Sequence, residues 1–359
     1  MSAQDGGRIL GEGVYGCAFD SPLKCKINKK TKIVKDKNSQ LVGKLTSVYS
    51  AQHEFTISQQ LVNIPDSEKY FALIHELCTP LPRSKQEEPD LNKCQFIQEQ
   101  SLPNVSQITI PFAGRPLRVI PKTAKQIDFF SLGRQLLEAG TLLILAKIVH
   151  RDIHFMNILV DSRKNARIID FGLAWQPDAI TLANLDNLFL KFEPRFTQEP
   201  PEVTCINGYN ERVPNHIILS RISDEKQVLS LKERIFGISK WDQIEELKRF
   251  LFSSESIRTR NAYAFYKLYW SKFDAWSIGA ILLTVYSELL FDPQFEKMSE
   301  YKKNNARILD VIKGLCRTDP AHRLDCAEAL AIWDPDSPIL KRKDVKEWLE
   351  EQSKIRSQL

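Results

Sequence analysis

The sequence has no apolar run long enough to cross a bilayer. Its longest, Thr141–Ala146 and Ile278–Val285, fall far short of the roughly 20 residues a spanning helix needs. The opening residues, MSAQDGG, are polar and do not read as a secretory leader. The seven cysteines (Cys17, Cys25, Cys78, Cys94, Cys205, Cys316 and Cys326) contain no C-x-x-C pair and leave one over. A secreted disulfide framework is usually shorter and even-numbered, so scattered thiols in a reducing compartment are expected, most acting as small buried apolar residues. Together these absences point to the cytoplasm and to no membrane partner. No repeat of 20–50 residues is visible, and the 14 Gly and 18 Pro are too ordinary for collagen-like or low-complexity chains. Charge of one sign is also missing. Fifty basic residues meet 45 acidic ones for a net charge of +5, without the basic stripe of a dedicated nucleic-acid binder. A nucleic-acid partner is not expected.

What is present is ample material for packed cores: 359 residues, 43% of them hydrophobic. A chain of this length exceeds the roughly 250–300 residues at which one core stops growing, so two lobes are expected. Between Arg8 and Lys37 short β-type runs alternate with Gly, Asn and Lys, a hairpin pattern. The stretch 50–62 reads as a helix with Glu54, Ile57, Ser58 and Leu61 on one face. The stretch 79–104 is rich in Pro, charge and Asn and reads as a loop or insertion, and 107–112 as a short strand. Helices follow: 125–147 with a broad apolar face, then 274–290, 306–315 and 325–332, with two short strands at 158–160 and 167–169. A β-rich first third before a helical remainder predicts an α+β chain of two lobes, 1–112 and 113–359.

Leu10-Gly11-Glu12-Gly13-Val14-Tyr15-Gly16-Cys17-Ala18 contains G-x-G-x-x-G. Alone this is weak, because a dinucleotide fold uses the same spacing. Here the residues after it continue as strand, and a glycine hairpin lets backbone N–H groups approach phosphates that side chains would block. Ile33-Val34-Lys35 reads as a further strand, whose Lys35 would hold phosphate oxygens as a point charge. The other reading of Lys35 is one solvated member of the cluster Lys26, Lys29, Lys30, Lys32, Lys35 and Lys37. Glu54 on the next helix favours the functional reading, since a helical carboxylate can orient a strand lysine.

His150-Arg151-Asp152-Ile153-His154-Phe155-Met156-Asn157 precedes Ile168-Ile169-Asp170-Phe171-Gly172. Asp152 can accept a hydroxyl proton, Asn157 can ligate magnesium, and Asp170 can hold a metal that bridges phosphates. With this set in order after a glycine loop, the chain resembles a eukaryotic-type protein kinase from about Leu10 to Arg323. Later landmarks agree. Pro200-Pro201-Glu202 is similar to A-P-E, Asp274–Gly279 to the D-x-W-S-x-G helix, and Asp319–Arg323 to D-P-x-x-R.

The resemblance implies a two-lobed kinase fold, ATP and Mg²⁺ as cofactors, and a protein substrate phosphorylated on Ser or Thr. It implies that Leu10, Gly11, Gly13, Gly16 and Ala18 cover the nucleotide, and that Lys35, paired with Glu54, contacts its phosphates. It implies Asp152 as the base and Asn157 and Asp170 as metal ligands. Ile110 would guard the adenine pocket, with the Pro111 carbonyl and the Ala113 N–H meeting adenine. Glu202 and Arg323 would form a buried ion pair.

Departures from the family are as telling. His154 stands where serine/threonine kinases carry lysine, as in haspin-like kinases and aminoglycoside-type phosphotransferases; it either donates to phosphate or packs within the loop. The segment 170–202 lacks the usual threonine and tyrosine pattern. Arg151 either receives a phosphate there, on Thr181, Thr197 or Thr204, or packs without one. Tyr15 reads as an aromatic lid or a phosphorylation site. The stretch 207–269 is an insertion with helices near 225–235 and 241–252, either a partner-docking element or an ornament, and a charged tail follows residue 334. In style the departures resemble kinases encoded by large DNA viruses. Two other functions compete with the protein kinase: a small-molecule phosphotransferase, and a pseudokinase scaffold.

Overall fold

A computed structural model of the chain describes residues 8–13, 16–26, 40–86, 89–98 and 102–358. The strand expected at 33–35, and Lys35 with it, lie outside the described residues. The chain divides into two compact units, Met1–Gly114 with Arg167–Gly172, and Arg115–Ala166 with Leu173–Leu359.

The first unit is β-rich. Strands β1 (Ile9–Gly13), β2 (Gly16–Phe19), β3 (Leu41–Ser47), β4 (Glu76–Cys78) and β5 (Val105–Pro111) form one antiparallel sheet in the order β1-β2-β3-β5-β4. Helix α1 (Val48–Val62) follows β3 directly. Ser47 caps it by accepting a hydrogen bond from the Ser50 N–H at 3.0 Å. Its Ala51 and Phe55 pack with Ile74 and Ile108, and Ile110 leans on the same cluster.

The stretch 79–104, expected as a loop or insertion, contributes to the core of the first unit. Leu91, Cys94, Ile97 on the short helix α2 (Gln95–Gln98) and Leu102 join Cys17, Phe19, Leu45 and Val105 in one buried cluster. Two disulfides tie the region together, Cys17–Cys94 and Cys25–Cys78. The expectation of seven reduced thiols is therefore corrected: only Cys205, Cys316 and Cys326 are free, all buried. Sequence spacing hid the pairs because the partners are 77 and 53 residues apart and meet only through the sheet.

The second unit is mostly helical. Strands β6 (Arg115–Pro116) and β7 (Ile158–Val160) pair antiparallel, and β8 (Ala166–Ile168) carries the chain from this unit into the first. Helix α3 (Phe129–Leu145) buries the broad apolar face expected of it, including Leu132, Leu136, Leu137 and Leu143. The helices α4 (Pro201–Asn210), α5 (Asn215–Glu225), α6 (Gln227–Phe236), α7 (Lys240–Ser253), α8 (Glu255–Arg258) and α9 (Ala262–Tyr269) make up the long stretch before α10 (Phe273–Leu289). Helices α11 (Ser299–Leu315) and α12 (Cys326–Trp333) complete the core. Trp333 passes so close to Gly133 that a Cβ there would meet its indole at 2.1 Å, which fixes α3 against α12.

The charged tail is also ordered. Helix α13 (Lys343–Arg356) docks through Trp348 Nε1, which donates to Asp325 at 3.0 Å, and through Arg356, which grips Glu328. No helix among the described residues is long and apolar enough to cross a membrane.

Candidate active site

In the first unit the glycine hairpin is built for close approach. Gly16 has φ +151°, and a Cβ on it would lie 1.9 Å from the Leu45 carbonyl oxygen, so the turn back into β2 admits only glycine. Gly11 and Gly13 differ: a Cβ on either would meet nothing of the protein within 4 Å. Packing does not demand glycine there, and the open side of β1 leaves backbone for a ligand to approach.

Glu54 is buried on α1, and the ammonium it meets belongs to Lys44. Lys44 Nζ lies 2.8 Å from Glu54 Oε1 and 2.8 Å from Asp170 Oδ1. The partner expected from the sequence is Lys35, which lies outside the described residues. Lys44 sits mid-strand in β3, opposite Ala18 on one side and Ile108 on the other. Burial by itself would lower the Lys44 ammonium, but the charges of Glu54 and Asp170 more than offset it and hold it well above its ordinary value. Burial pushes the Glu54 carboxyl up to about 7; Lys44 opposes the shift and Asp170 adds to it. One ammonium shared between two carboxylates leaves the cluster one positive charge short. Asp170 itself has φ +68°, an uncommon conformation for a non-glycine residue, and its Oδ1 also accepts from the Gly172 N–H at 3.3 Å. Phe171 packs edge-on against Phe71, with ring centroids 5.9 Å apart.

At the expected adenine-binding strand, Val42 pairs with Ile110 and Leu41 with Pro111. Pro111 lacks an N–H and can offer only its carbonyl, while Ala113 is buried just beyond. Leu10 is exposed on β1 and Ala18 half-buried on β2.

In the second unit, a carboxylate on α10 holds the loop 150–157. Asp274 accepts from the His150 N–H at 2.7 Å and the Arg151 N–H at 2.8 Å. Burial raises the Asp274 carboxyl, while His150 and the two backbone N–H groups pull it back. Arg151 takes φ +71° and its guanidinium donates to the Leu188 carbonyl. Asn157 spends its amide nitrogen on Asp152, donating at 3.0 Å to the backbone oxygen and at 3.0 Å to Oδ2. What Asn157 has left to offer is an oxygen, the atom type a magnesium ion takes.

His154 packs within the loop, one of the two roles expected of it. Its Nδ1 accepts from the Met156 N–H at 3.1 Å and its ring meets Phe196 edge-on, while Nε2 lies 3.6 Å from Asp152 Oδ2.

The segment before Glu202 is held by side chains from the helices around it. Lys226 Nζ donates to the Phe196 and Glu199 carbonyls, both at 2.9 Å. Trp276 Nε1 donates to Thr197 O at 3.0 Å and Ser277 to Gln198 O at 2.7 Å. Thr204 is fully buried and donates to Glu199 at 2.7 Å. Burial draws the Lys226 ammonium down to about 8, with Glu199 opposing the shift. Sequence reading missed Lys226, because nothing in its local pattern marks a lysine between two insertion helices as buried.

Residues 7–188, just over half of the chain, match the family model described as protein tyrosine and serine/threonine kinase. The chain belongs to that family. No curated protein was found to match it. Beyond the matched region the kinase still carries the late landmarks its sequence promised. The side chains of Glu202 and Arg323 are fully buried and joined by two bonds of 2.8 Å, Nη1 to Oε1 and Nη2 to Oε2. Arg323 also donates to the Arg317 and Lys272 carbonyls and stacks over Trp276.

Proposed function

We propose that this kinase transfers the γ-phosphate of ATP to serine or threonine hydroxyls of proteins, with Mg²⁺. The observation that carries the reading is the Lys44 ammonium held 2.8 Å from both Glu54 and Asp170. A lysine oriented by a buried glutamate, beside an aspartate in a strained conformation, is the arrangement that positions nucleotide phosphates and a metal in this family.

The residues present fit that cofactor pair. In the first unit Gly11 and Gly13 leave backbone open to phosphates, Lys44 supplies the cation and Asp170 an oxygen ligand; in the second, the Asn157 amide offers an oxygen. When bound, Mg²⁺ supplies positive charge that offsets the phosphate oxygens. Asp152 orients the acceptor hydroxyl and takes its proton, with Asn157 holding the carboxylate in place. Leu10, Gly16, Ala18, Pro111 and Ala113 complete the nucleotide-binding surface.

His154 favours a second reading, a small-molecule phosphotransferase. Against it stand the fully buried Glu202–Arg323 pair and the Asp274 anchor, both landmarks of the protein-kinase helical lobe. Incubation with γ-labelled ATP and parallel panels of basic proteins and small alcohols separates the two. Label on serine or threonine of protein is the expected result; label on small molecules alone contradicts the proposal.

A further inference from the structure

The long helical stretch before α10 contains a groove that the chemistry above does not use. One cavity of about 660 Å³ has a floor of Ile206, Leu219 and Leu251. A second, of about 620 Å³, adjoins it and is walled by Trp241 and Ile244. They share Asn215, Leu219, Lys248 and Phe252 and so form one continuous depression. Its rim is aromatic and exposed: Trp241 is 69% and Phe252 74% accessible. Its charge has one sign. Arg212, Arg258, Arg260 and Lys248 line it, and no lining residue of either cavity is acidic. Lys248 already pairs with Glu245 at 2.6 Å, whereas Arg212, Arg258 and Arg260 make no ion pair among the described residues.

We propose that this groove docks a short linear segment of a partner protein in which aliphatic or aromatic anchors are flanked by aspartate or glutamate. Exposed aromatic side chains grouped beside an apolar floor mark an interaction site rather than ordinary surface. Trp and Arg are the residue types that dominate docking energetics. Guanidinium forks without partners match carboxylates in geometry as well as charge. Each cavity alone is within the roughly 300–1,000 Å³ of a small-molecule site, whereas an extended or helical peptide runs across both along the residues they share. Nucleic acid fits less well, because its phosphates gain nothing from the Leu219–Leu251 floor.

The test is selection from a random dodecapeptide display library on the full chain, followed by fluorescence polarisation with the selected peptides. The proposal expects sequences that combine Asp or Glu with Leu, Ile, Phe or Trp. Their affinity should fall roughly tenfold or more for Arg258→Glu/Arg260→Glu, and comparably for Phe252→Ser. Autophosphorylation should be unchanged in both variants, which also shows that they fold; Trp241→Ser replaces Phe252→Ser if the latter does not. Failure to select any peptide, selection of peptides without acidic residues, or equal binding to wild type and charge-reversed protein overturns the proposal. Phosphatidylserine vesicles or oligouridylate bound through these arginines, with no peptide selected, would also overturn it.

Discussion

Lys44 and Glu54 stand ten residues apart in sequence and 2.8 Å apart in space, one on the third strand and the other on the helix that follows it. Glu54 is buried and Lys44 half-buried, and Asp170 shares the same ammonium. Lys35, the lysine expected there from the sequence, lies in the lysine-rich stretch upstream, outside the described residues. Lys44→Met should therefore lower phosphate transfer at least about a hundredfold, the usual cost of removing one preorganised charge from a reacting centre. Lys35→Met should leave it within about twofold, as for an ordinary surface change. Parallel steady-state assays decide; the reverse ranking contradicts the assignment.

Glu54 makes the site sensitive to pH. Burial raises its carboxyl to about 7. Below that value it takes up a proton and loses the charge that orients Lys44; above it the charge returns. Nucleotide affinity should therefore rise between roughly pH 6 and 8, whereas an unshifted glutamate would already be ionised throughout. Glu54→Gln should abolish this step while leaving the titration of ATP itself. Identical pH profiles for the two proteins would refute the prediction.

The Glu202–Arg323 pair acts on stability. With both side chains at 0% exposure, removing one partner leaves an uncompensated charge inside the second unit. Arg323→Met should cost about 3–5 kcal/mol. The double variant Glu202→Leu/Arg323→Met should recover part of that loss, because no lone carboxylate remains. Urea unfolding of the three proteins measures both; an additive double variant means the two residues do not act as a pair.

The disulfides can be counted. Denatured under non-reducing conditions, the protein should expose three titratable thiols, those of Cys205, Cys316 and Cys326. Reduction should lower the thermal midpoint, since in the chain-entropy account closing loops of 77 and 53 residues stabilises by up to about 4 kcal/mol each. Seven thiols before reduction would return the chain to the reduced state its cysteine spacing implies.

Much of this was legible in the sequence, for identifiable reasons. The elements that bury a continuous face, such as α3 and α10, announce themselves by periodicity, and the 3.6-residue pattern has no competing reading at that length. The loop 150–157 was legible because its chemistry needs fixed residue types at fixed spacing. Lys44 was not. It sits beside Gly43 in a strand of mixed character, while Ile33-Val34-Lys35 offers the cleaner β pattern. The signal that would have found it is position: Lys44 lies in the strand run immediately before the helix of Glu54, whereas Lys35 precedes that strand. The disulfides, the Lys226 clamp and the order of the tail share a different cause. Each depends on partners far away in sequence, and composition reports only the solvated average of such segments.

Replacing the proposed base tests the central claim most directly. Asp152→Asn keeps the size of the side chain and removes its ability to take a proton. Phosphate transfer to protein from γ-labelled ATP should fall by roughly 10²–10⁴-fold, with ATP affinity changed no more than about twofold. An Asp152→Asn protein that transfers phosphate at the wild-type rate would contradict the account.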